Sequence, residues 1–362
     1  MSACITPLRG YGQRQARVAL LGTGTVGSAV WARLASWADT PLHGRLSLVH
    51  VANSRFAISN HNGIPADTRD LLLWNSPDES SLDAVDDVLS GAGTRIVIDA
   101  TASEVVAERH AQWLAGGIHV VTACKLGQGE SLARWRGIQF SRVRGNTHYG
   151  DSATVGAGLP LLRTLHELQA GGDRIHAIAG VLSGSLAWLF NHYDGKRRFS
   201  TFVRAARDAG YTEPDPRDDL SGADVRRKLL ILSRAAGHML ETDSVQVDSL
   251  VPPALAALAQ DDVDEALPSL DAPLRERYAA AYKNGEKLRF IARLQAGGLA
   301  TVGLESLAAD HPLAGGTGTD NRVAIWSDRY SVQPLVIQGP GAGAGVTAAA
   351  LLDDALRITR GA

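Results

Sequence analysis

Two cysteines in 362 residues, Cys4 and Cys124, are too few and too far apart for a disulfide framework or a thiolate zinc cluster. That scarcity fits a reducing compartment, with the cytoplasm as the default expectation. Basic excess is missing as well: 36 Lys and Arg stand against 38 Asp and Glu, a formal net charge of −2, which leaves no footprint for a nucleic-acid backbone. No run of about 18 apolar residues occurs, and the N-terminal MSACITPLRGYGQRQAR has no long apolar core, so neither a membrane span nor a signal peptide is expected. What remains is a chain of 45% hydrophobic content, long enough for two or three domains, whose expected partners are small molecules.

Glycine is plentiful, and one cluster of it falls between a strand pattern and a helix pattern. Arg17 to Leu21 (RVALL) meets Gly22-Thr23-Gly24-Thr25-Val26-Gly27, after which Ser28 to Trp37 reads as a helix. In such a turn the first glycine permits the tight bend, the second lets the backbone approach a pyrophosphate, and the third lets helix and strand pack closely. The whole of Gly22 to Gly27 is therefore a dinucleotide-binding candidate. The next strand, Leu46 to Ala52, ends in Asn53-Ser54-Arg55. No carboxylate stands there to repel a 2′-phosphate and Arg55 could pair with one, which favours NADP over NAD; the alternative is an ordinary surface arginine. Asn60 to Asp87 reads as loop and helix without assignable chemistry.

Arg95 to Ala100 (RIVIDA) and Ile118 to Thr122 (IHVVT) read as further buried strands, separated by a helix that Thr101 and Ser103 open and that runs to about Leu114. Strands alternating with helices imply a doubly wound parallel sheet with its ligand at the carboxyl ends of the strands. Thr101, Ser103 and Lys125 all lie at such ends. Lys125 is a candidate for the nicotinamide or substrate pocket, against a plain surface lysine. Phe140 to Tyr149 reads as mixed, and Asp151 to Pro160 (DSATVGAGLP) as a boundary. Its glycines suit either ion-binding backbone groups or a turn that needs glycine for conformation alone. The expected division is 1–150 for nucleotide binding, 151–338 for catalysis and dimerisation, and 339–362 returning to the first domain.

Beyond the boundary, Leu161 to Leu168 reads as helix and Ala177 to Leu182 as strand. Ser183-Gly184-Ser185 then starts a helix, offering amides and hydroxyls to a carboxylate. The densest charge pattern is Tyr211 to Lys228, YTEPDPRDDLSGADVRRK. Pro214 and Pro216 stiffen a loop carrying Glu213, Asp215, Asp218 and Asp219, so those carboxylates are expected to be aimed at one place. From Gly222 the pattern turns helical, and Asp224 and Lys228 share a face; the bland alternative is a solvated pair contributing ~0.3–0.5 kcal/mol. The helix is expected to reach Leu240, and Leu250 to Tyr282 to be helical. Leu288 to Leu294, Ala300 to Leu304, and Asn321 to Trp326 look like antiparallel strands. Ser331 to Ile337 then leads into the second glycine run, Gly339 to Gly345, whose Gly341 and Gly343 could form a further backbone wall for the cofactor, before a helix over Val346 to Ile358.

Six segments, GTGTVG, HVVTACK, TVGAGLP, GVLSGSLAWLF, GYTEPDPRDDLSGADVRRKLLIL and VIQGPGAGAGVTAA, together carry a resemblance. The chain resembles the homoserine dehydrogenases over nearly its whole length. Its wording is nearest to the dehydrogenase portion of the bifunctional aspartokinase–homoserine dehydrogenases, with neither a kinase portion nor a threonine-sensing extension expected. The resemblance implies a Rossmann-type doubly wound parallel sheet plus an α+β catalytic and dimerisation domain, a homodimer, and reversible reduction of L-aspartate 4-semialdehyde to L-homoserine by NADPH or NADH. It places Glu213 on the substrate ammonium with Tyr211 and Asp219 shaping that pocket, and Gly184 and Ser185 against the substrate. Asp224 and Lys228 would stand at the reacting oxygen, with Lys228 as proton donor and Lys125 as its rival. A monovalent cation would take the carbonyls of Val155, Ala157 and Leu159. Two positions depart from the pattern. Cys124 stands where asparagine is usual, which brings an expected thiol sensitivity beside Lys125, and Ser152 stands where an acid is expected, with Asp151 next to it. The competing readings are a catalytically reduced sensor that kept the fold, and a dehydrogenase acting on a modified semialdehyde.

Overall fold

The computed structural model describes residues 15–65 and 79–361. The N-terminal stretch with Cys4, and residues 66–78 of the Asn60–Asp87 segment, lie outside the described residues. Two six-stranded sheets carry the chain. The first comprises β1 (Ala16–Leu21), β2 (Leu46–Ala52), β3 (Ala57–Ser59), β4 (Thr94–Asp99), β5 (His119–Thr122) and β6 (Tyr149–Gly150) in the order β3-β2-β1-β4-β5-β6. All its pairings are parallel except β2 with β3.

A parallel sheet needs cover on both faces, which is why β1 reads as an almost unbroken buried run. On one face lie Trp113, Leu114 and Ile138, from the helices Glu104–Ala115 and Leu132–Arg144. On the other lie Val30 and Trp31 of the helix Thr25–Ala35, joined by Leu351, Leu352 and Ala355 of the last helix, Ala344–Thr359. The end of the chain thus shares a buried cluster with its beginning.

The second sheet runs β12-β11-β7-β9-β10-β8, from β7 (Ile175–Val181), β8 (Val245–Val247), β9 (Lys287–Leu294), β10 (Ala300–Leu307), β11 (Asp320–Ser327) and β12 (Leu335–Pro340). Its neighbours are antiparallel except β10 with β8. Helices Leu161–Ala170, Gly184–His192, Phe199–Asp208 and Ala223–Ala235 bury their apolar stripes in one cluster with its strands. β7 pairs with both β11 and β9, so the strand that leads into Ser183 lies within the sheet.

Several boundaries differ from the sequence reading. The helix after Gly222 stops at Ala235, where Gly237 takes φ 92°, instead of continuing to Leu240. The expected helical region from Leu250 to Tyr282 is broken into short turns, with Pro252, Pro253 and Pro268 among them, before a helix over Asp271–Lys283. β12 begins at Leu335, after Pro334, instead of at Ser331. Part of the mixed stretch from Phe140 to Tyr149 belongs to the helix Leu132–Arg144.

Candidate active site

The first glycine turn separates its three glycines by physical role. Gly22 has φ 93°, and a Cβ there would meet the Ala100 carbonyl oxygen at 2.8 Å. A Cβ on Gly27 would lie 1.8 Å from the Gly22 carbonyl oxygen, so helix and turn touch through bare backbone. At Gly24 a Cβ would meet nothing within 4 Å. Packing does not require that glycine, and the open approach fits a bound phosphate at the helix N-terminus. The cleft beside this turn measures ≈ 530 Å³ and is lined by Gly22 to Gly24, by Asn53 and Ser54 after β2, and by Thr101 and Ser103 after β4. It sits where the strand order reverses, between β1 and β4.

The hydroxyls after β4 are already engaged. Thr101 donates from its amide (2.9 Å) and its Oγ1 (2.6 Å) to Asp99 Oδ1, and Ser103 Oγ caps its helix by accepting from the Val106 amide. Asp99, fully buried, also accepts from Thr122 Oγ1 at 3.0 Å and pairs with His110 Nε2 at 3.0 Å, bracing the carboxyl ends of β4 and β5. Sequence reasoning passed over Asp99 because it ends an apolar run. Arg55 is exposed and does not line the cleft, although its amide, with that of Phe56, donates to Asn53 Oδ1 at 2.8 Å and so fixes the turn that carries it.

Lys125, on the loop after β5, reaches the other half of the site. Its Nζ lies 3.4 Å from Asp224 Oδ1, while Lys228 Nζ lies 2.9 Å from Asp224 Oδ2 and donates to the Leu182 carbonyl at 2.8 Å. Burial pushes the Asp224 carboxyl up, but the Lys228 and Lys125 ammoniums outweigh it and hold the group at about 2. The Lys228 side chain is 13% exposed and that of Lys125 32%. The Asp224 side chain itself is 43% exposed, so the three charges form a cluster open on the carboxylate side, with Lys228 its most enclosed member, and not merely a helix-face pair. Cys124 next to it is buried, and burial first of all pushes its thiol up to about 11. A thiol so buried and so weakly acidic is a poor nucleophile, against the expected thiol sensitivity.

Around that cluster the acidic loop folds in two directions. Asp219 accepts from Ser185 Oγ at 2.6 Å and from the Glu213 amide at 2.8 Å, tying the turn after β7 to the loop. Ser183 and Ser185 hydroxyls are 2.8 Å apart, Ser183 caps the helix that begins at Gly184, and a Cβ on Gly184 would sit 3.3 Å from the Thr319 carbonyl oxygen. Glu213 is exposed on the loop; Tyr211, 45% exposed, places its ring 5.4 Å from that of Trp188. Asp215 departs from expectation. It caps the helix Pro216–Leu220 and grips Arg217 at 2.6 Å, which in turn donates to the carbonyls of Leu255, Ala256 and Leu258, so its carboxylate holds the loop instead of facing the site. Asp218 is exposed.

Arg234, 2% exposed, joins the two halves. It donates to the carbonyls of Gln128 and Glu130, on the Lys125 side, and of Leu240 on its own. Asn321, 1% exposed at the start of β11, donates to the same Leu182 carbonyl that holds Lys228. Neither residue was expected from the sequence. Gly341 lies against Asn321: a Cβ there would be 2.0 Å from Asn321 Cγ, so this glycine makes room for an amide. Gly343, with φ 123°, precedes the last helix, and its carbonyl accepts from Thr347 Oγ1 at 2.8 Å.

In the candidate cation loop, Gly156 and Ala157 take φ 75° and 51°, and the Leu159 carbonyl already accepts from the Leu161 amide at 2.8 Å. Ser152 donates from amide and hydroxyl to Asp354, at 3.0 and 2.9 Å. Asp151 is buried, which pushes its carboxyl up despite nearby His166 and Gln128. Among the described residues no group of three or more His, Cys, Asp or Glu could hold a metal ion, and no helix is long and apolar enough to cross a membrane.

An open glycine turn at the switch point of a doubly wound sheet, facing an α+β sheet that supplies the charged cluster, defines a two-domain protein of the dinucleotide-binding class. Comparison narrows the class. The profile described as homoserine dehydrogenase matches residues 160–356, and that of the homoserine dehydrogenase NAD-binding domain matches 22–135. The homoserine dehydrogenase of Schizosaccharomyces pombe is 35% identical, covering 94% of this chain and 94% of its own length; that of Saccharomyces cerevisiae is 34% identical, covering 95% and 98%. The chain belongs to the homoserine dehydrogenase family. It is also 38% identical to the bifunctional aspartokinase/homoserine dehydrogenase 2 of Escherichia coli, but spans only 44% of that protein. Among solved structures, a Candida auris protein of unknown function superposes with a TM-score of 0.90 at 33% identity, covering 96% of this chain and 99% of that one. A hyperthermophilic archaeal homoserine dehydrogenase in complex with NADPH shares the fold, with a TM-score of 0.74 at 19% identity, covering 96% and 98%.

Proposed function

We propose that this chain interconverts L-aspartate 4-semialdehyde and L-homoserine with NAD(P)H, and that Lys228 carries the proton. The observation behind the reading is the Asp224 carboxylate shared by two ammoniums beside the Ser183–Ser185 turn. When bound, the nicotinamide supplies hydride to the carbonyl carbon. Lys228, anchored on Asp224 and the Leu182 carbonyl, gives its proton to the carbonyl oxygen as the alcohol forms, and removes it in the reverse direction. Its deeper enclosure favours it over Lys125, whose role becomes holding the carbonyl oxygen in place. Glu213 takes the substrate ammonium, Asp219 and Ser185 keep that pocket in shape, the amides at Gly184 face the substrate carboxylate, and Tyr211 closes the outer side.

Gly22 to Gly27, Thr101, Ser103, Gly341 and Gly343 border the cofactor. The absence of a carboxylate after β2, with Arg55 near, favours NADP over NAD. A monovalent cation on the carbonyls of Val155, Ala157 and Leu159, a homodimer, a cytoplasmic setting and the domain division 1–150, 151–338 and 339–362 complete the reading. Sharing of a buried cluster between Leu351, Leu352 and β1 supports the last of these.

The test is NADPH oxidation with aspartate semialdehyde by the wild type and Lys228→Ala. Turnover by the wild type and a loss of about 10²–10⁴-fold in the variant are expected. Equal rates would remove Lys228 from the chemistry, and no wild-type turnover would favour the sensor reading.

A further inference from the structure

Asn321 is a polar residue in a place that rewards apolar ones. It is 1% exposed, on β11, two residues before the buried Val323, so the two share one face of the strand. Its Nδ2 donates to the Leu182 carbonyl at 3.3 Å, whereas its Oδ1, also buried, has no hydrogen-bond partner. A buried amide kept for its own stability would have both ends satisfied. The nearby backbone also gives way to it, since only a glycine at 341 leaves room for the amide.

The partner of that Nδ2 links Asn321 to the chemistry. The Leu182 carbonyl is the second anchor of Lys228 Nζ, at 2.8 Å, the first being Asp224. Leu182 follows Val181, the last residue of β7, and immediately precedes Ser183, so its peptide plane lies just past the register that pairs β7 with β11. We propose that Asn321 is a positioning residue: by donating to the Leu182 carbonyl it fixes that peptide plane, and through it the direction from which Lys228 delivers its proton. Gly341 belongs to the same device, because its bare Cα is what lets the amide lie against the glycine turn. A lysine with a rotating second anchor would still bind substrate but would meet the carbonyl oxygen at the wrong angle, so the effect falls on turnover and not on binding.

The inference rests on the role given to Lys228, and the experiment separates the two. Wild type, Lys228→Ala, Asn321→Asp, Asn321→Ala and Gly341→Ala are compared in both directions, with circular dichroism and NADPH affinity as controls on folding. Asn321→Asp keeps the volume and removes the N–H donor. It is expected to lower kcat at least about tenfold while the KM for semialdehyde stays within about twofold, and to displace the alkaline limb of homoserine oxidation. Gly341→Ala, whose Cβ would land 2.0 Å from Asn321 Cγ, is expected to lower kcat in the same way. A folded Asn321→Asp variant with wild-type kcat and an unmoved alkaline limb overturns the inference. If Lys228→Ala is inactive in that same experiment, the lysine reading survives alone; if Lys228→Ala turns over like wild type, both fall.

Discussion

Lys125 Nζ stands 3.4 Å from Asp224 Oδ1, a contact between the loop after β5 of the parallel sheet and a helix packed on the antiparallel one. Asp224 therefore registers the two halves of the protein against each other at the place where the proposed mechanism brings hydride and proton together. Its second contact, to Lys228, sits on its own helix at 2.9 Å. One carboxylate thus sets both ammoniums.

The acid side of the stability profile should report this cluster. The Asp224 carboxyl is held at about 2, below the ordinary carboxylate value of 3.8, so its contribution is present above 3.8 and lost as pH falls through about 2. Thermal midpoints measured across that window should fall less steeply for Asp224→Asn than for the wild type. Parallel slopes would show that the carboxylate is no better held in the folded protein than in the unfolded chain.

The two directions of the reaction should differ in their pH dependence. A lysine is protonated at neutral pH and must lose its proton before it can accept one from homoserine. Homoserine oxidation is expected to rise from neutral to alkaline pH, with semialdehyde reduction showing no such requirement. A flat oxidation profile over that range would count against a lysine base.

The glycines of the first turn should separate stability from binding. Gly27→Ala drives a Cβ to 1.8 Å from the Gly22 carbonyl oxygen and is expected to destabilise the fold by about 1–3 kcal/mol or more. Gly24→Ala meets no protein atom within 4 Å and should leave the thermal midpoint unchanged while weakening NADPH binding about tenfold, equivalent to ~1.4 kcal/mol. Calorimetry and nucleotide titration on the two variants check both halves.

Arg55 offers a test of cofactor choice. Arg55→Ala should raise the KM for NADPH more than that for NADH, because only the former carries the 2′-phosphate the guanidinium would meet. An equal change for both cofactors would mark Arg55 as an ordinary surface residue.

Local features were legible in the sequence to different degrees. Gly22 to Gly27 and the pair Asp224 and Lys228 could be read because their chemistry lies in consecutive residues or at one helical spacing. The helix Leu132–Arg144 escaped because only Leu132 and Ile138 on it are buried, while Phe140 and Val143 are exposed, which blurs the apolar stripe. Asp215 looks like a site carboxylate in the sequence, but it grips Arg217 two residues on, and the carbonyls of Leu255 and Leu258 that hold Arg217 come from elsewhere in the chain. Asn321 and Arg234 were hidden for the same reason: each matters through a partner more than 100 residues distant in sequence, brought near by strand pairing or helix packing. Tertiary coincidence of that kind leaves no local pattern.

Arg234 has a further bearing on traffic through the site. Its buried guanidinium takes two carbonyls from one half of the protein and one from the other, and the Leu132 amide donates to Glu241 alongside it at 3.0 Å. Swinging the halves apart would leave several buried polar groups without partners at once. We expect entry and exit to depend on excursions of exposed segments such as Tyr211 to Pro214, with loop-scale times of nanoseconds to microseconds, and not on the slower hinging of whole domains. Arg234→Leu would then loosen the molecule before it altered the chemistry, and product release, measured by transient kinetics, is where that change should first appear.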